Sequence, residues 1–205
     1  MEARRDARQR LGIPPDVFLV GSFGHASFTK RIEIVIEAVA QVVRDIPSMR
    51  YVIVGKVHPP NPPWFPDLRE VARRTGVGDQ VIFTDLVSLD DFQRWIDAVD
   101  VAVNLRYPTS GETSGALIRL LVRGVPCIIS AVDQFLDFPD ECCWKVEPTG
   151  GEIRLVAAYL RELATQPHLR RAMGSAAQLY VRRNHDPARS VEAYLDFLTV
   201  TPSVG

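Results

Sequence analysis

The chain has 205 residues and a mass of 22.9 kDa, enough for one sizeable core and one domain over residues 1–205. Its 24 basic residues balance 25 acidic ones, and 46% of residues are apolar. That composition is ordinary for a soluble globular protein and gives no sign of bulk nucleic-acid binding. The start, MEARRDARQRLG, carries four arginines and no apolar stretch of the length a signal peptide or membrane span needs. A cytoplasmic protein without stable membrane insertion is expected.

In chain order, MEARRDARQRLGIPPD reads as the tail of a helix entering a first strand, as though something preceded it. Residues Val17 to Gly21 (VFLVG) read as a buried strand. From Arg31 to Arg44, Ile32, Val35, Ile36, Val39 and Val43 recur at helical spacing. A second strand is expected from Arg50 to Gly55. The segment HPPNPPWFPD that follows has too many prolines for regular structure and reads as a surface loop. A short helix is expected from Asp67 to Thr75, a third strand from Gln80 to Thr84, and a helix from Ser88 to Ala98 with Ser88 as its cap. The run VAVNL (Val101 to Leu105) is a fourth strand. A helix from Thr113 to Arg123 stops at Gly124, a residue suited to a helix C-terminus, and PCIIS (Pro126 to Ser130) is a fifth strand. Residues Cys143 to Val146 are a candidate sixth. The segments Glu152 to Ala164, His168 to Val181 and Pro187 to Leu198 are helical with no strand behind them, which places a helical tail around one edge of the sheet; the last few residues are expected to fray. Alternation of β-branched runs with amphipathic stretches is the pattern of an α/β, Rossmann-like, three-layer domain with a central parallel sheet of about six strands.

The cysteines Cys127, Cys142 and Cys143 are odd in number and two are adjacent, which provides neither a disulfide framework nor a CxxC metal knuckle. Buried, reduced thiols are expected. The histidines His25, His58, His168 and His185 are scattered without HxxxH or HxE spacing, so no metal is expected.

The first strand-to-helix turn, Gly21-Ser22-Phe23-Gly24-His25-Ala26-Ser27, is rich in small residues where an α/β protein receives a phosphate. It lacks the third glycine of a dinucleotide fingerprint, and Gly55-Lys56 stands where a nicotinamide site wants an acid, which argues against a dehydrogenase. Gly55-Lys56 is not a P-loop either, since Val57 replaces the Ser/Thr that would hold magnesium and Arg50 stands in the place of the leading glycine. In Gly111-Glu112-Thr113-Ser114-Gly115 the serine is not central in a GxSxG elbow, which excludes the serine-hydrolase reading.

The same segment has a more economical reading. With Thr113 or Ser114 as cap, the helix to Arg123 presents free backbone N–H groups beyond the strand ends, a place that favours a phosphate. Glu112 can accept hydrogen bonds from sugar or ribose hydroxyls; its bland alternative is a solvated carboxylate contributing up to about 1 kcal/mol at a helix dipole. Lys30 is expected to open the first full helix, where a cation is misplaced unless an anion sits nearby. Arg31 adds a second charge, and both side chains are expected to reach a diphosphate; otherwise they are two solvated bases.

Taken in order, these features resemble the C-terminal domain of GT-B glycosyltransferases of family 4, the "group 1" class. The resemblance runs over residues 8 to 198: the lead-in RQRLGIPPD, Gly24 with Lys30 six residues later, the IVIEAVA helix, the strand ending at Gly55, Val81 to Phe83, Asp100-Val101, the donor loop, Gly124-Val125-Pro126, and the strand into Ser130. It departs at His25, where many members have an arginine, and at the paired-glutamate motif. Only Glu112 is present there; the second position falls on Leu120 or Arg119. The resemblance implies transfer of a sugar from a nucleoside-diphosphate donor with retention of configuration and no cofactor or obligatory metal, stabilisation of the leaving diphosphate being the principal chemistry. On that carry-over Lys30 would bind the diphosphate and Glu112 would contact the sugar or ribose, as the catalytic pair. The backbone of Gly111, Thr113 and Ser114 would complete the cradle, with Gly24, His25, Arg31 and Arg106 as further substrate contacts. The expected partners are the nucleotide-sugar donor and an N-terminal acceptor-binding domain missing from this chain, so that the domain alone is expected to be inactive. Two other readings are a binding module without turnover and a scaffold using the Pro59 to Pro66 loop through exposed Trp64 and Phe65.

Overall fold

The computed structural model describes residues 2–57 and 62–199. Helix α1 (Glu2–Leu11) leads into β1 (Phe18–Phe23), a single 3-10 turn (Phe28–Lys30) and α2 (Ile32–Val42). Then come β2 (Met49–Val54), α3 (Leu68–Arg74), β3 (Val81–Asp85), α4 (Leu89–Ala98), β4 (Val101–Asn104) and α5 (Gly115–Val122). The chain continues through β5 (Cys127–Ser130), β6 (Cys143–Val146), α6 (Glu152–Thr165), α7 (Pro167–Asn184) and α8 (Pro187–Thr199). Residues 1, 58–61 and 200–205 lie outside the described residues, and with them His58, part of the proline-rich loop and the fraying expected at the end.

All six strands are parallel and lie in the order β3-β2-β1-β4-β5-β6. Parallel strands covered on both faces need apolar residues at nearly every position, and β1, β4 and β5 are buried throughout. Alternation along each strand sorts these residues between two layers. Phe18, Val20, Tyr51, Ile53, Val101, Val103 and Ile128 face α2, α3 and α6. Leu19, Phe23, Val52, Val54, Ala102, Cys127 and Ile129 face α1, α4, α5 and α7.

The local signals that start and stop the helices act as chemistry requires. Asp67 caps α3 by accepting from the amide of Arg69 at 2.8 Å, and Ser88 caps α4 by accepting from that of Asp91 at 3.1 Å; each satisfies an amide left without an intrahelical partner. Gly124, at φ 71°, ends α5. The three cysteines are free and buried, and burial raises the Cys143 thiol to about 12.

Three expectations are corrected. The tail does not wrap one edge of the sheet: α6 packs along α2 on one face, while α7 sends Ala177 and Val181 into the opposite layer. Lys30 does not open α2; it closes the 3-10 turn, and Arg31, in left-handed conformation at φ 54°, separates it from the helix. In the proline-rich loop Trp64 is 71% exposed, but Phe65 is only 3% exposed and belongs to the core beneath α2 and α3.

Candidate functional site

Strand order reverses between β1 and β4: from β1 the chain proceeds outward to β2 and β3, and from β4 outward to β5 and β6. At such a switch point the connections leave in opposite directions and open a crevice at the carboxyl ends of the strands, where ligands of doubly wound sheets bind. The loop after β1 (24–31) and the loop after β4 (105–114) line that crevice. They are tied together, the Tyr107 amide donating to the Thr29 carbonyl at 2.8 Å.

Backbone packing fixes the first loop. The Gly24 amide donates to the Val54 carbonyl at 2.9 Å and the Ala26 amide to that of Lys56 at 2.9 Å, extending the β1–β2 pairing beyond the sheet. A Cβ on Gly55 would stand 2.5 Å from the Gly24 carbonyl oxygen, so this approach requires glycine at that position. The Lys30 side chain folds back over Gly24, and its Nζ donates to the Phe23 carbonyl at a long 3.4 Å. Burial first and the Arg106 charge second lower its pKa from 10.5 to about 8, against the opposing pull of Glu112. Lys30 is therefore a poorly compensated cation at the mouth of the crevice.

The second loop is built on side-chain bonds. Arg106 extends from the end of β4, its amide donating to Ser130 Oγ at 2.8 Å. Its Nη1 donates to Glu112 Oε1 at 2.5 Å, while Glu112 Oε2 accepts from the Ser110 amide at 2.8 Å. The Ser110 amide, the backbone amide of Glu112 itself and Arg106 hold the Glu112 carboxyl below its ordinary pKa. Ser114, rather than Thr113, is the cap of α5: its Oγ accepts from the Leu117 amide at 3.2 Å. Helix α5 therefore starts just after Glu112, whose carboxyl pairs with Arg106 and acts on Lys30, and a helix start carries partial positive charge.

Of the residues expected from sequence, Gly24, Lys30, Arg106, Gly111, Glu112, Thr113 and Ser114 are brought to these two loops. His25 lies exposed on the first of them. Arg31 is turned elsewhere: its left-handed backbone sends the guanidinium to Glu152 at 2.6 Å and toward Glu33 at 3.9 Å, so it joins α2 to α6 instead of facing the crevice. At the positions of the second glutamate, Leu120 is buried in the core and Arg119 is exposed.

Sequence reasoning missed Asn104, Ser130 and Gln134. Asn104 Oδ1 accepts from Ser114 Oγ at 3.3 Å, and Gln134 Nε2 donates to the Glu112 carbonyl. The buried atoms Asn104 Nδ2, Gln134 Oε1 and Arg106 Nε have no partner. Buried polar atoms are seldom left unpaired, and these three surround the start of α5. Asn104 did carry a signal, a polar residue ending the apolar run VAVNL; Gln134, far away in sequence, carried none.

Comparison with known proteins identifies the family and the fold. The family model described as "Glycosyl transferases group 1" matches residues 14–164. D-inositol 3-phosphate glycosyltransferase of Streptomyces coelicolor is 29% identical over 180 residues, 85% of this chain and 39% of that protein. Alpha-monoglucosyldiacylglycerol synthase of Streptococcus pneumoniae is 27% identical over 128 residues, 62% of this chain and 27% of that protein. The chain thus spans well under half the length of these curated relatives. Among solved structures, the C-terminal domain of a glycosyl transferase group 1 family protein (LpcC) from Francisella tularensis superposes with a TM-score of 0.77 at 20% identity, covering 91% of this chain and 95% of that one. Anabaena HepE in complex with UDP superposes with a TM-score of 0.86 at 18% identity, over 98% of this chain and 53% of that one.

Proposed function

Since the chain belongs to the group 1 glycosyl transferases, we propose that it is the donor domain of such an enzyme, binding a nucleoside-diphosphate sugar in the crevice between β1 and β4. The observation that carries the reading is the convergence of Lys30, Arg106 and Glu112 on the start of α5. Lys30, with Gly24 and His25 on the same wall, and the α5 amides, flanked by Gly111 and Thr113 on the other, hold the diphosphate. The Glu112 carboxylate, set by Arg106 and the Ser110 amide, keeps lone pairs for hydroxyls of the sugar or ribose. As an acceptor hydroxyl oxygen bonds to the anomeric carbon and loses its proton to solvent, the bond from that carbon to the diphosphate oxygen breaks with its electron pair leaving on that oxygen, and Lys30 and the helix start stabilise the charge that develops there. Retention of configuration, and action without metal or cofactor, belong to the proposal, as do the chain's being one domain and its needing a separate acceptor-binding part. Among the described residues no helix is long and apolar enough to cross a membrane; a cytoplasmic setting fits a nucleotide-sugar donor.

HepE of Anabaena, which has this fold, has been solved with UDP and with UDP-glucose, and that is in keeping with the reading. Titrating the chain calorimetrically with UDP, GDP, ADP and UDP-glucose tests the reading. Saturable binding of at least one, weakened at least tenfold by Lys30→Ala, is expected; no binding of any, or binding indifferent to Lys30→Ala, overturns the site. Binding without donor hydrolysis in the longer protein would instead favour a binding module.

A further inference from the structure

At the other end of the sheet, beneath the amino ends of β1, β4 and β5, lies a cavity of about 410 Å³. Its size falls within the range of roughly 300–1,000 Å³ typical of small-molecule pockets. Four arginines and two aspartates line it: Arg4 from α1, Asp97 and Asp100 around the end of α4, Arg123 from the end of α5, and Arg170 and Arg171 from the first turns of α7.

The charges do not balance. The buried Asp100 carboxylate is already used: Oδ2 accepts from Arg8 at 2.6 Å and from the Leu19 amide at 2.8 Å, and Oδ1 from Arg4. Asp97 is engaged by Arg123 at 3.2 Å. Arg170 donates to the Leu163 and Ala164 carbonyls and lies over the Phe18 ring at 5.3 Å. Arg171, exposed on α7, has no carboxylate partner among the described residues. Counting Arg8 behind the wall, five guanidiniums face two carboxylates. Burial lowers the Arg170 pKa, Asp100 opposes this, and Arg4 and Arg171 add smaller lowering effects.

We propose that this cavity is a second anion site, separate from the donor crevice, that takes a small phosphorylated metabolite of the phosphomonoester class. Guanidinium forks pair bidentately with phosphoryl oxygens, and Arg4, Arg123 and Arg171 keep enough exposure to turn their forks into the cavity. The site also has a mechanical link to the donor crevice. Helix α5 runs from its cap Ser114, two residues after Glu112, to its C-terminal cap Arg123 on the cavity wall, a helical span of about 12 Å.

The probes are glucose 6-phosphate and inorganic phosphate, titrated into the 205-residue chain at constant ionic strength in chloride, with glucose as neutral control. Expected is saturable binding of glucose 6-phosphate that survives Lys30→Ala and weakens at least tenfold in Arg123→Ala/Arg171→Ala; equal affinity for inorganic phosphate would define the ligand as the phosphoryl group alone. The exposed Arg171→Glu variant gives the same answer if the double variant folds poorly, and amide chemical-shift changes at residues 123–126 and 167–171 locate the anion in the unaltered chain. Absence of binding by both anions overturns the proposal. So does binding lost on Lys30→Ala but kept in the arginine variants, which would place the anion in the donor crevice.

Discussion

The amide of Tyr107 donates to the carbonyl of Thr29 at 2.8 Å, joining the loop after β4 to the turn that ends in Lys30. Because of this bond Arg106 and Lys30, 76 positions apart in the numbering, stand on either side of one crevice. Burial and, after it, the repulsion of the Arg106 charge leave Lys30 with a pKa of about 8 against the pull of Glu112.

Donor binding should therefore depend on pH. A diphosphate binds the protonated amine, which in the unliganded chain is lost as pH rises through about 8. Affinity is expected to be maximal below that pH and to fall above it, by up to about tenfold per unit. Binding near pH 8 should also take up a proton. Calorimetry in buffers of different ionisation enthalpy measures that uptake, and a flat affinity between pH 7 and 9 would remove Lys30 from the site.

The same lysine should cost stability. A lowered amine pKa means that folding disfavours the proton, so the penalty is fully present below about pH 8 and disappears as pH rises toward the ordinary 10.5. Replacing Lys30 with methionine keeps the aliphatic stem and removes the charge. The unliganded chain is expected to gain about 1 kcal/mol at pH 7, seen as a higher denaturation midpoint, while nucleotide affinity drops roughly tenfold to a hundredfold. A parallel loss of both would mean that Lys30 is a structural residue.

Glu112→Gln separates the two roles assigned to the second loop. The amide preserves the shape but gives up the charge that holds Arg106 at 2.5 Å. Freed of its carboxylate, Arg106 adds positive field to the crevice, so affinity for the nucleoside diphosphate alone should hold or rise. Affinity for the sugar conjugate should fall about tenfold, the value of one charged hydrogen bond to a hydroxyl. Equal effects on both ligands would deny Glu112 a contact with the sugar or ribose.

How much of this was legible in sequence differs by the range of the interaction. The stripe Ile32, Val35, Ile36 and Val39 marks α2 because periodicity is local, and all four are buried; Asp67 and Ser88 mark helix starts for the same reason. The strand at Cys143–Val146, only four residues long, was a weaker signal, and its pairing with β5 decides it. Lys30 and Arg31 were misplaced at the head of α2 because a left-handed arginine leaves no compositional trace. What holds Arg31 is Glu152, 121 positions away. Phe65 was taken as exposed because prolines surround it, yet its ring drops into the core from a loop that is otherwise outside. Arg8 and Asp100 stood in the lead-in and before β4 with no hint that they meet, since a bond across 92 positions is written only in the fold.

The contact between α5 and α7 provides the sharpest test of packing. Gly174 lies inside α7, where alanine would ordinarily be preferred by about 1 kcal/mol. Here a Cβ would stand 2.2 Å from the carbonyl oxygen of Gly124, which itself ends α5 at φ 71°. That neighbour is backbone, and it is bound by the turn that closes α5, where the Val125 amide donates to the Leu120 carbonyl at 3.1 Å. Relief requires the helices to separate, so Gly174→Ala is expected to lower stability by about 1–3 kcal/mol or more despite its better helix propensity. Gly151, the N-cap of α6, has nothing within 4 Å of its Cβ position and no positive φ, and is the unobstructed control; Gly151→Ala should cost only the lost cap preference, under about 1 kcal/mol. Urea denaturation of the two variants measures the difference, and equal midpoints would show that α7 is free to slide along α5.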